Sequence, residues 1–445
     1  MSSESGHTES GVPVEPGQLP RLQWLVQVYS GDAAAVTDAV ADPNIFDPTY
    51  KFGLDTFTET YRPLKKLREE FGDITFTLGD VRAVAADLTH ADLVYDGEVR
   101  FVAVVRFESV APHRIMYWNS HPPVPTDVLM RPYQAGDAAG CVALERVCPM
   151  LMTDGSEWTI DRGEFFDDYL RLMEDADAWV AIHEDKVVGF YSCALRSIQF
   201  RGEPSYCIYQ HHYRVHPDYR RGSIADALVT YVDPRRYFER YAAQFPYTMI
   251  DPNNVRMQNK GMFPAVADVT FARLAVALEG LDSVREAEVV APSAETICRL
   301  INQTHNTRNF FQTYDADSLA LRCERVPSYN RGSFKRLGDA VLGIWDVNEV
   351  NVLRAEGRTQ EFKLSFVLDY GFTAVADLLE LVRAVAPQLR ARGTTHLCFL
   401  CDTRVAEYVA LAGLAGDVQR FGVHTLPWIG EDFSQGPVYC DAIYL

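Results

Sequence analysis

Val215-His216-Pro217-Asp218-Tyr219-Arg220-Arg221-Gly222-Ser223-Ile224-Ala225-Asp226-Ala227-Leu228 is the most informative run in the chain. It follows SYCIYQHHYRV, an apolar segment rich in β-branched and aromatic residues that reads as a strand. A turn bearing Pro, Arg and small residues comes next, and SIADALVTYV then opens a helix. Small side chains let a backbone approach a ligand closely, and the first amides of a helix have no partner within it. Such amides, with the helix dipole behind them, suit phosphate. Arg220 and Arg221 add positive charge, and Arg235, Arg236 and Arg240 lie further along the same segment. A polar turn with capping residues would leave the same pattern, so the run alone keeps both readings open.

Around this run the elements alternate. VLMRPYQ from Val128 reads as a strand, and Asp137 is a candidate N-cap for a helix reaching about Val147. A second helix is predicted from Asp161, with Phe165, Phe166, Tyr169, Leu170 and Met173 on one face. AWVAIHE and VVGFYSCALRSI form a hairpin around Asp185-Lys186, and YTMI is a later short strand.

The run resembles motif A of the GNAT N-acetyltransferases, a strand followed by V-x-P-x-Y-R and a Gly-rich loop that holds the pyrophosphate of acetyl-coenzyme A. Arg220 falls on the Arg of that pattern and Ala225 on its last small residue. Ser223 stands where Gly is usual, and Gly222 sits one place early. Arg131-Pro132 with Asp137 matches the family's first strand and helix start, and Gly189 its β-hairpin Gly. Asn253-Asn254 with Gly261-Met262-Phe263 resembles its closing N…GF pattern.

The resemblance implies an acyl-coenzyme A-dependent N-acyltransferase, with acetyl-CoA or another acyl-CoA as donor and a small-molecule amine as acceptor. It implies that the main chain of Tyr213 and Val215 pairs with pantetheine. Arg220, Arg221, Gly222, Ser223 and Ala225 would then surround the diphosphate, and Asn254 joins the cofactor contacts. A backbone N–H would polarise the thioester carbonyl, and a base would keep the amine neutral. Candidates for the base are His211 and His212, adjacent in a strand and so expected on opposite faces, with Glu184 and Tyr209 behind them. The family's usual Tyr acid is missing between Asn253 and Phe263, which leaves Tyr219, water, or a weak catalyst.

Residues 285–445 repeat the order loosely. EAEVVAP reads as a strand, SAETICRLINQTH as a helix, Asp315 to Arg322 as a second helix and DAVLGIWDVNEVNVLRAE as a hairpin. EFKLSFVLDYG reads as a strand, TAVADLLELVRAVAPQLRARG as a long helix, and VYCDAIYL as a last strand. Where the phosphate loop belongs stands Val367-Leu368-Asp369-Tyr370-Gly371-Phe372-Thr373-Ala374, with no Arg and with an Asp that would repel phosphate. This half resembles a degenerate GNAT-like domain.

Residues 1–18 are predicted to be a disordered leader. Helical spacing at Leu22, Leu25, Val26, Tyr29 and then Phe57, Tyr61, Leu64, Leu67, Phe71 precedes segments 73–79, 81–89, 91–96, 98–108 and 113–119, which read as antiparallel strands. Asp96-Gly97 reads as a two-residue hairpin turn. Helices followed by a meander resemble the ketosteroid-isomerase-like (SnoaL-like, cystatin-like) α+β cone. That implies a pocket, with Asp47, Tyr50, Tyr61, Asp92 and His113 as polar candidates, or an interaction and homo-oligomerisation module. HPPVPTD at 121–127 breaks the periodicity and reads as a linker. The expected layout is therefore an α+β cone over 19–122, a cofactor-binding mixed-sheet α/β domain over 127–280, and a degenerate copy over 285–445.

Composition sets the outer bounds. At roughly 150 residues per domain, 445 residues predict about three domains. With 47% hydrophobic and 23% charged residues the chain is a folded, soluble one. No stretch approaches the ~18 consecutive apolar residues of a membrane helix, and no signal-like segment opens the chain, so a cytoplasmic protein with no membrane partner is expected. The net charge of −19 disfavours nucleic acid, and with it a transferase drawing on aminoacyl-tRNA. A non-catalytic coenzyme A- or metabolite-binding protein on the same scaffold remains a second expectation. Cys398-x-x-Cys401 lies in an apolar strand and lacks a second pair, so buried thiols, and no metal, are expected.

Overall fold

The computed structural model describes residues 18–30, 62–72, 74–85, 88–107, 115–151, 156–163, 166–220, 223–232, 237, 240–252, 265–282, 288–326, 328–355, 358–425 and 427–441. Its contacts divide the chain into two compact units. One comprises Met1–Met130, Ala181–Glu184 and Asp218–Arg235, the other Arg131–Val180, Asp185–Pro217 and Arg236–Leu445.

In the first unit, helices α1 (Leu19–Tyr29) and α2 (Arg62–Phe71) precede strands β1 (Thr77–Ala85), β2 (Leu88–Tyr95), β3 (Glu98–Phe107) and β4 (Ile115–His121), an antiparallel meander in sequence order. Pro20 in the first turn of α1 sits where a missing N–H costs nothing. Leu22, Leu25, Val26 and Tyr29 of α1 join Leu93, Phe101, Ala103, Val105 and Phe107 in one core. The two-residue spacing along β3 puts those side chains on one sheet face. Asp96 and Gly97 have φ of 53° and 76°, as a type I′ turn requires. The expected break near residue 80 is absent, because β1 runs through it and absorbs two bulges. Residues 31–61, which hold part of the expected helical pattern and the polar candidates Asp47, Tyr50 and Tyr61, lie outside the described residues, as does His113.

The opposite face of this sheet carries His90, Val102 and Val104. A further helix of the same unit, Ile224–Tyr231, packs against β4, and its Tyr231 ring lies 5.0 Å from that of His90. The helix after the motif run thus clusters with the N-terminal strands.

The second unit is built on a mixed sheet. Its strands are β5 (Leu129–Pro132), β6 (Met150–Leu151), β7 (Glu157–Asp161), β8 (Glu174–His183), β9 (Lys186–Phe200), β10 (Glu203–Val215), β11 (Pro246–Ile250), β12 (Ala265–Ala277), β13 (Phe334–Leu337), β14 (Ala340–Ala355), β15 (Arg358–Phe372), β16 (His396–Asp402) and β17 (Ala415–Thr425). The helices, numbered on from α2, are α3 (Ala138–Val147), α4 (Phe166–Leu172), α5 (Ile224–Tyr231, clustered with the first unit), α6 (Ala294–His305), α7 (Ala316–Arg325), α8 (Val375–Ala391), α9 (Ala406–Ala412) and α10 (Pro427–Ser434). Strand order is β5-β8-β9-β10-β11-β17-β12-β16-β15-β14-β7-β6, with β13 beside β14.

One chain order occurs twice: the hairpin β9–β10, helix α5 and strand β11 parallel to β10, then the hairpin β14–β15, helix α8 and strand β16 parallel to β15. The halves are interleaved in one continuous sheet. Strand β17 of the second half lies between β11 and β12, and β12 of the first lies between β17 and β16. Helix α8 buries Leu378, Leu381, Val382, Val385 and Leu389 at helical spacing on Leu274, Val276, Leu342 and Phe399.

Several local expectations are corrected. Asp137 ends a short 3-10 turn and makes no side-chain cap for α3. Its carboxylate instead grips Arg131 at 2.7 Å through both oxygens and accepts from the Gln134 amide. Residues 157–161 form β7, paired with β14, and α4 starts at Phe166. The β8–β9 turn is Glu184-Asp185, one residue early. Residues 340–355 form one bulged strand where a hairpin is predicted. Among the described residues of EAEVVAP, 288–292, Val290 makes only an isolated bridge and no strand forms. Helix α10 has no sequence signal read above.

Candidate active site

The local geometry of β10 sets this region apart. Its parallel register with β11 covers Ile208, Tyr209 and Gln210 against Pro246, Tyr247 and Thr248, and extends no further. β10 itself continues to Val215 along β9, pairing His211 with Ser192 and then Arg214 with Phe190. Two residues of β10, His212 and Tyr213, stand opposite one of β9, Tyr191, which makes a β-bulge, and His212 takes the left-handed conformation with φ 54°. The bulge turns the strand just where its parallel neighbour leaves it.

That bulge overturns the expectation of one histidine on each face. The two rings meet at 4.6 Å between centroids, with their Nδ1 atoms in contact. His211 stacks on Tyr209 and is 2.8 Å through Nε2 from the Ser192 hydroxyl. His212 is boxed by Tyr169, Phe190 and Phe166. Each residue is 8% exposed. Burial, aided by the Arg162 charge, lowers His211 to about 3 and pushes His212 well below its ordinary value. Both are neutral at physiological pH.

Beside them lies a charged cluster that sequence reading missed. Arg162 contacts Glu145 of α3 and reaches Glu349 of β14 at 3.6 Å, while its guanidinium lies 4.4 Å above the Tyr169 ring. Glu349 also meets Arg273 at 3.5 Å and accepts from the Asn351 amide at 2.7 Å. Burial works against the Arg162 charge, and the Glu145 and Glu349 carboxylates more than offset it. Burial raises Glu145, against the pull of Arg162. A cavity lined by Arg162, Tyr169, Trp345, Val347 and Glu349 has room for about one water molecule. These residues come from distant parts of the chain, so no local spacing announces them.

Along the chain, β10 is followed by a 3-10 turn, Pro217–Tyr219, and then Arg220, which is exposed. The Tyr219 hydroxyl lies 2.7 Å from His183 Nδ1, and His183 Nε2 lies 2.7 Å from Asp127 Oδ2, all within the first unit. Ser223 has φ 57° and ψ 4°. This left-handed conformation explains why the resembling motif carries Gly at that place. Ala225 sits half-buried in the first turn of α5. Arg221, Gly222 and Asn254 lie outside the described residues.

In the second half, β15 pairs in parallel with β16 over Leu364–Phe366 and then bulges between Val367 and Asp369. The backbone beyond that bulge is already engaged by α6. His305 Nε2 donates to the Tyr370 carbonyl at 2.8 Å, and the Thr304 hydroxyl both accepts from Phe372 N at 2.6 Å and donates to Phe372 O at 2.9 Å. A Cβ on Gly371 would stand 2.4 Å from the α6 backbone. Asp369 is not a loop charge facing phosphate. It is buried and receives Arg322 at 2.7 Å, Tyr329 at 2.8 Å and Tyr314 at 2.9 Å.

Residues 144–259 match the model of the acetyltransferase (GNAT) family. That segment is a GNAT domain. It contains β10, its bulge, the turn and β11. No curated protein matches the chain by sequence. Among solved structures, N-myristoyltransferase of Saccharomyces cerevisiae with bound myristoyl-CoA is similar at TM-score 0.50 and 10% identity, covering 68% of this chain and 80% of that one. A GCN5-related N-acetyltransferase from Sphaerobacter thermophilus gives TM-score 0.44 and 13% identity, covering 68% and 96%. At such identities the first likeness speaks to the fold. No described helix is long and apolar enough to cross a membrane.

Proposed function

We propose that the protein is an acyl-coenzyme A-dependent N-acyltransferase that acylates a small-molecule amine by direct transfer, with acetyl-CoA as the expected donor. The observation that carries this reading is the parting of β10 from β11 after Gln210, followed at once by the left-handed bulge at His212, inside the segment that matches the GNAT family. The point where a strand parts from its parallel neighbour is where an extended ligand can add as a further strand. On this reading Tyr213 and Val215 hold the pantetheine arm. Arg220, Arg221, Gly222, Ser223 and Ala225, next along the chain, hold the diphosphate, with Asn254 also on the donor. The donor supplies an activated thioester, and this chain orients it and handles the proton.

The enclosure of His211 and His212 supports a structural part for them: they stay neutral and hold the bulge in shape. The second half would be a GNAT-like copy that binds no donor, because α6 already uses the backbone a pantetheine arm would need. The N-terminal sheet would then serve as the platform for α5. Titration calorimetry with acetyl-CoA tests the reading: one site per chain is expected, and no heat at millimolar donor refutes it. Binding without turnover across a panel of amino sugars, polyamines and amino acids would favour a non-catalytic binding protein instead.

A further inference from the structure

We propose that Ser192 and Glu145 are positioning residues for the β10 bulge. From the two ends of one polar chain they make His211 and His212 share a single proton between their Nδ1 atoms, and that proton locks the bulge. The consequence for the acyl donor, drawn below, rests on the acyltransferase reading. The chain lies wholly within the second unit. Ser192 comes from β9, both histidines from β10 and Glu145 from α3. Ser192 is 0% and Glu145 3% exposed, so their polar atoms are matched inside the protein.

The backbone shows why a lock is needed. A residue with a Cβ adopts the left-handed conformation of His212 only where its surroundings over-determine it. The aromatic rings around His212 limit its room, but rings give no direction, and hydrogen bonds do.

The place of the shared proton follows from the inventory of hydrogen-bond donors. Burial keeps both rings neutral, so each carries one N–H. The Ser192 hydroxyl is nearer to His211 Nε2 than to Nδ1, at 2.8 against 3.4 Å, and His211 is its one hydrogen-bond partner among the described residues. With the His211 proton on Nε2, the buried hydroxyl hydrogen would have nothing to accept it. Ser192 therefore donates to Nε2, and His211 carries its proton on Nδ1. The two Nδ1 atoms are in contact, so His212 accepts there and holds its own proton on Nε2. That nitrogen is 4.0 Å from Glu145 Oε1, too far for a hydrogen bond but well within reach of the carboxylate charge. The opposing charge of Arg162 is offset by the Glu145 and Glu349 carboxylates it meets. Every proton in the chain is thus displaced from Ser192 towards Glu145. A second proton on His212 would set two N–H groups against each other and part the rings. The bulge sets the course of β10 into Tyr213 and Val215, which hold the pantetheine arm on the acyltransferase reading.

The test uses the full-length protein. Nitrogen-15 NMR at neutral pH, with His211→Asn and His212→Asn to assign the signals, should show His211 as the Nδ1–H tautomer and His212 as the Nε2–H tautomer. A scalar coupling between the two Nδ1 nitrogens should report the shared proton. Ser192→Ala should erase the tautomer preference of His211, and Glu145→Gln that of His212. In calorimetry with acetyl-CoA, His211→Leu should weaken binding about tenfold. His211→Asn, whose amide can donate to His212 from a similar place, should recover most of that loss, whereas a purely steric role would leave the two variants alike. An Nε2–H tautomer of His211, no coupling between the rings, tautomers indifferent to Ser192→Ala and Glu145→Gln, or equal affinity in the Leu and Asn variants overturns the lock. Should a variant fail to fold, the spectra of the unmutated protein decide. Absence of acetyl-CoA binding in the unmutated protein overturns the acyltransferase reading instead, and the tautomers and the coupling still decide the shared proton.

Discussion

Replacing Asp369 by Asn tests how the second half is held. Asp369 is 1% exposed and receives three donors, the Arg322 Nε and the hydroxyls of Tyr314 and Tyr329. The amide keeps the shape, removes the charge, and points an NH2 at one of those three donors. Losing one partner of a buried ion pair costs about 3–5 kcal/mol. Here Arg322 keeps Asp441, which it grips at 2.8 and 3.0 Å, so the lower end, about 3 kcal/mol, is expected. That is a large part of the roughly 5–15 kcal/mol by which a domain is stable. Urea unfolding followed by hydrogen exchange at β15 amides measures it. Because the cluster belongs to a half that binds no donor on the proposed reading, acetyl-CoA affinity and its one-site stoichiometry should not move. A loss below about 1 kcal/mol, the worth of one ordinary hydrogen bond, would show that Asp369 is not the hub of this cluster. Two sites in the unmutated protein would show that α6 does not close the second half.

Arg220→Ala should weaken acetyl-CoA by about 1–3 kcal/mol, the range for a charge-assisted contact; unchanged affinity in calorimetry would place the diphosphate elsewhere. Ser223→Gly should raise the melting temperature by an amount equivalent to about 1 kcal/mol, because a left-handed non-Gly residue costs roughly 1–2 kcal/mol and part of the relief is lost to chain entropy. His90 and His121 sit buried under Tyr231, and burial lowers them from 6.5 to about 3 and about 4. Their folded pKa values lie below the unfolded one, so the unfolded chain takes up protons first. The stability they contribute is complete above about pH 6.5 and is lost as pH falls towards 4 and then 3. His90→Gln and His121→Gln should flatten that acid slope in pH-dependent thermal unfolding; an unaltered slope would mean that other groups set it.

How much of this was legible follows from the range of each interaction. The strand, turn and helix at 203–231 were readable because each depends on neighbours in sequence: an apolar run, a Pro and small residues, then helical spacing. The Asp96-Gly97 turn was readable because those two side chains tolerate positive φ. The placement of His211 and His212 was not. Alternation along a strand is a local rule, and the bulge that breaks it depends on how β10 registers with β9. The Asp369 charge was misjudged for a similar reason, since its partners Tyr314, Arg322 and Tyr329 precede it by some distance in the chain. The contacts of His183 with Tyr219 and with Asp127 join three stretches that no motif connects.

Periodicity and turn chemistry are short-range, and from them alone the order of elements, the motif run and the likeness between the two halves could be written down. Strand neighbours are settled by competition among many apolar edges of similar hydrophobicity, and only the folded sheet shows that β12 and β17 trade places. Tertiary contacts likewise decided that the backbone past the bulge of β15 is taken by a helix. The physical reason is that a main-chain hydrogen bond can be made to only a few partners at once, and residues far apart in sequence decide who makes it.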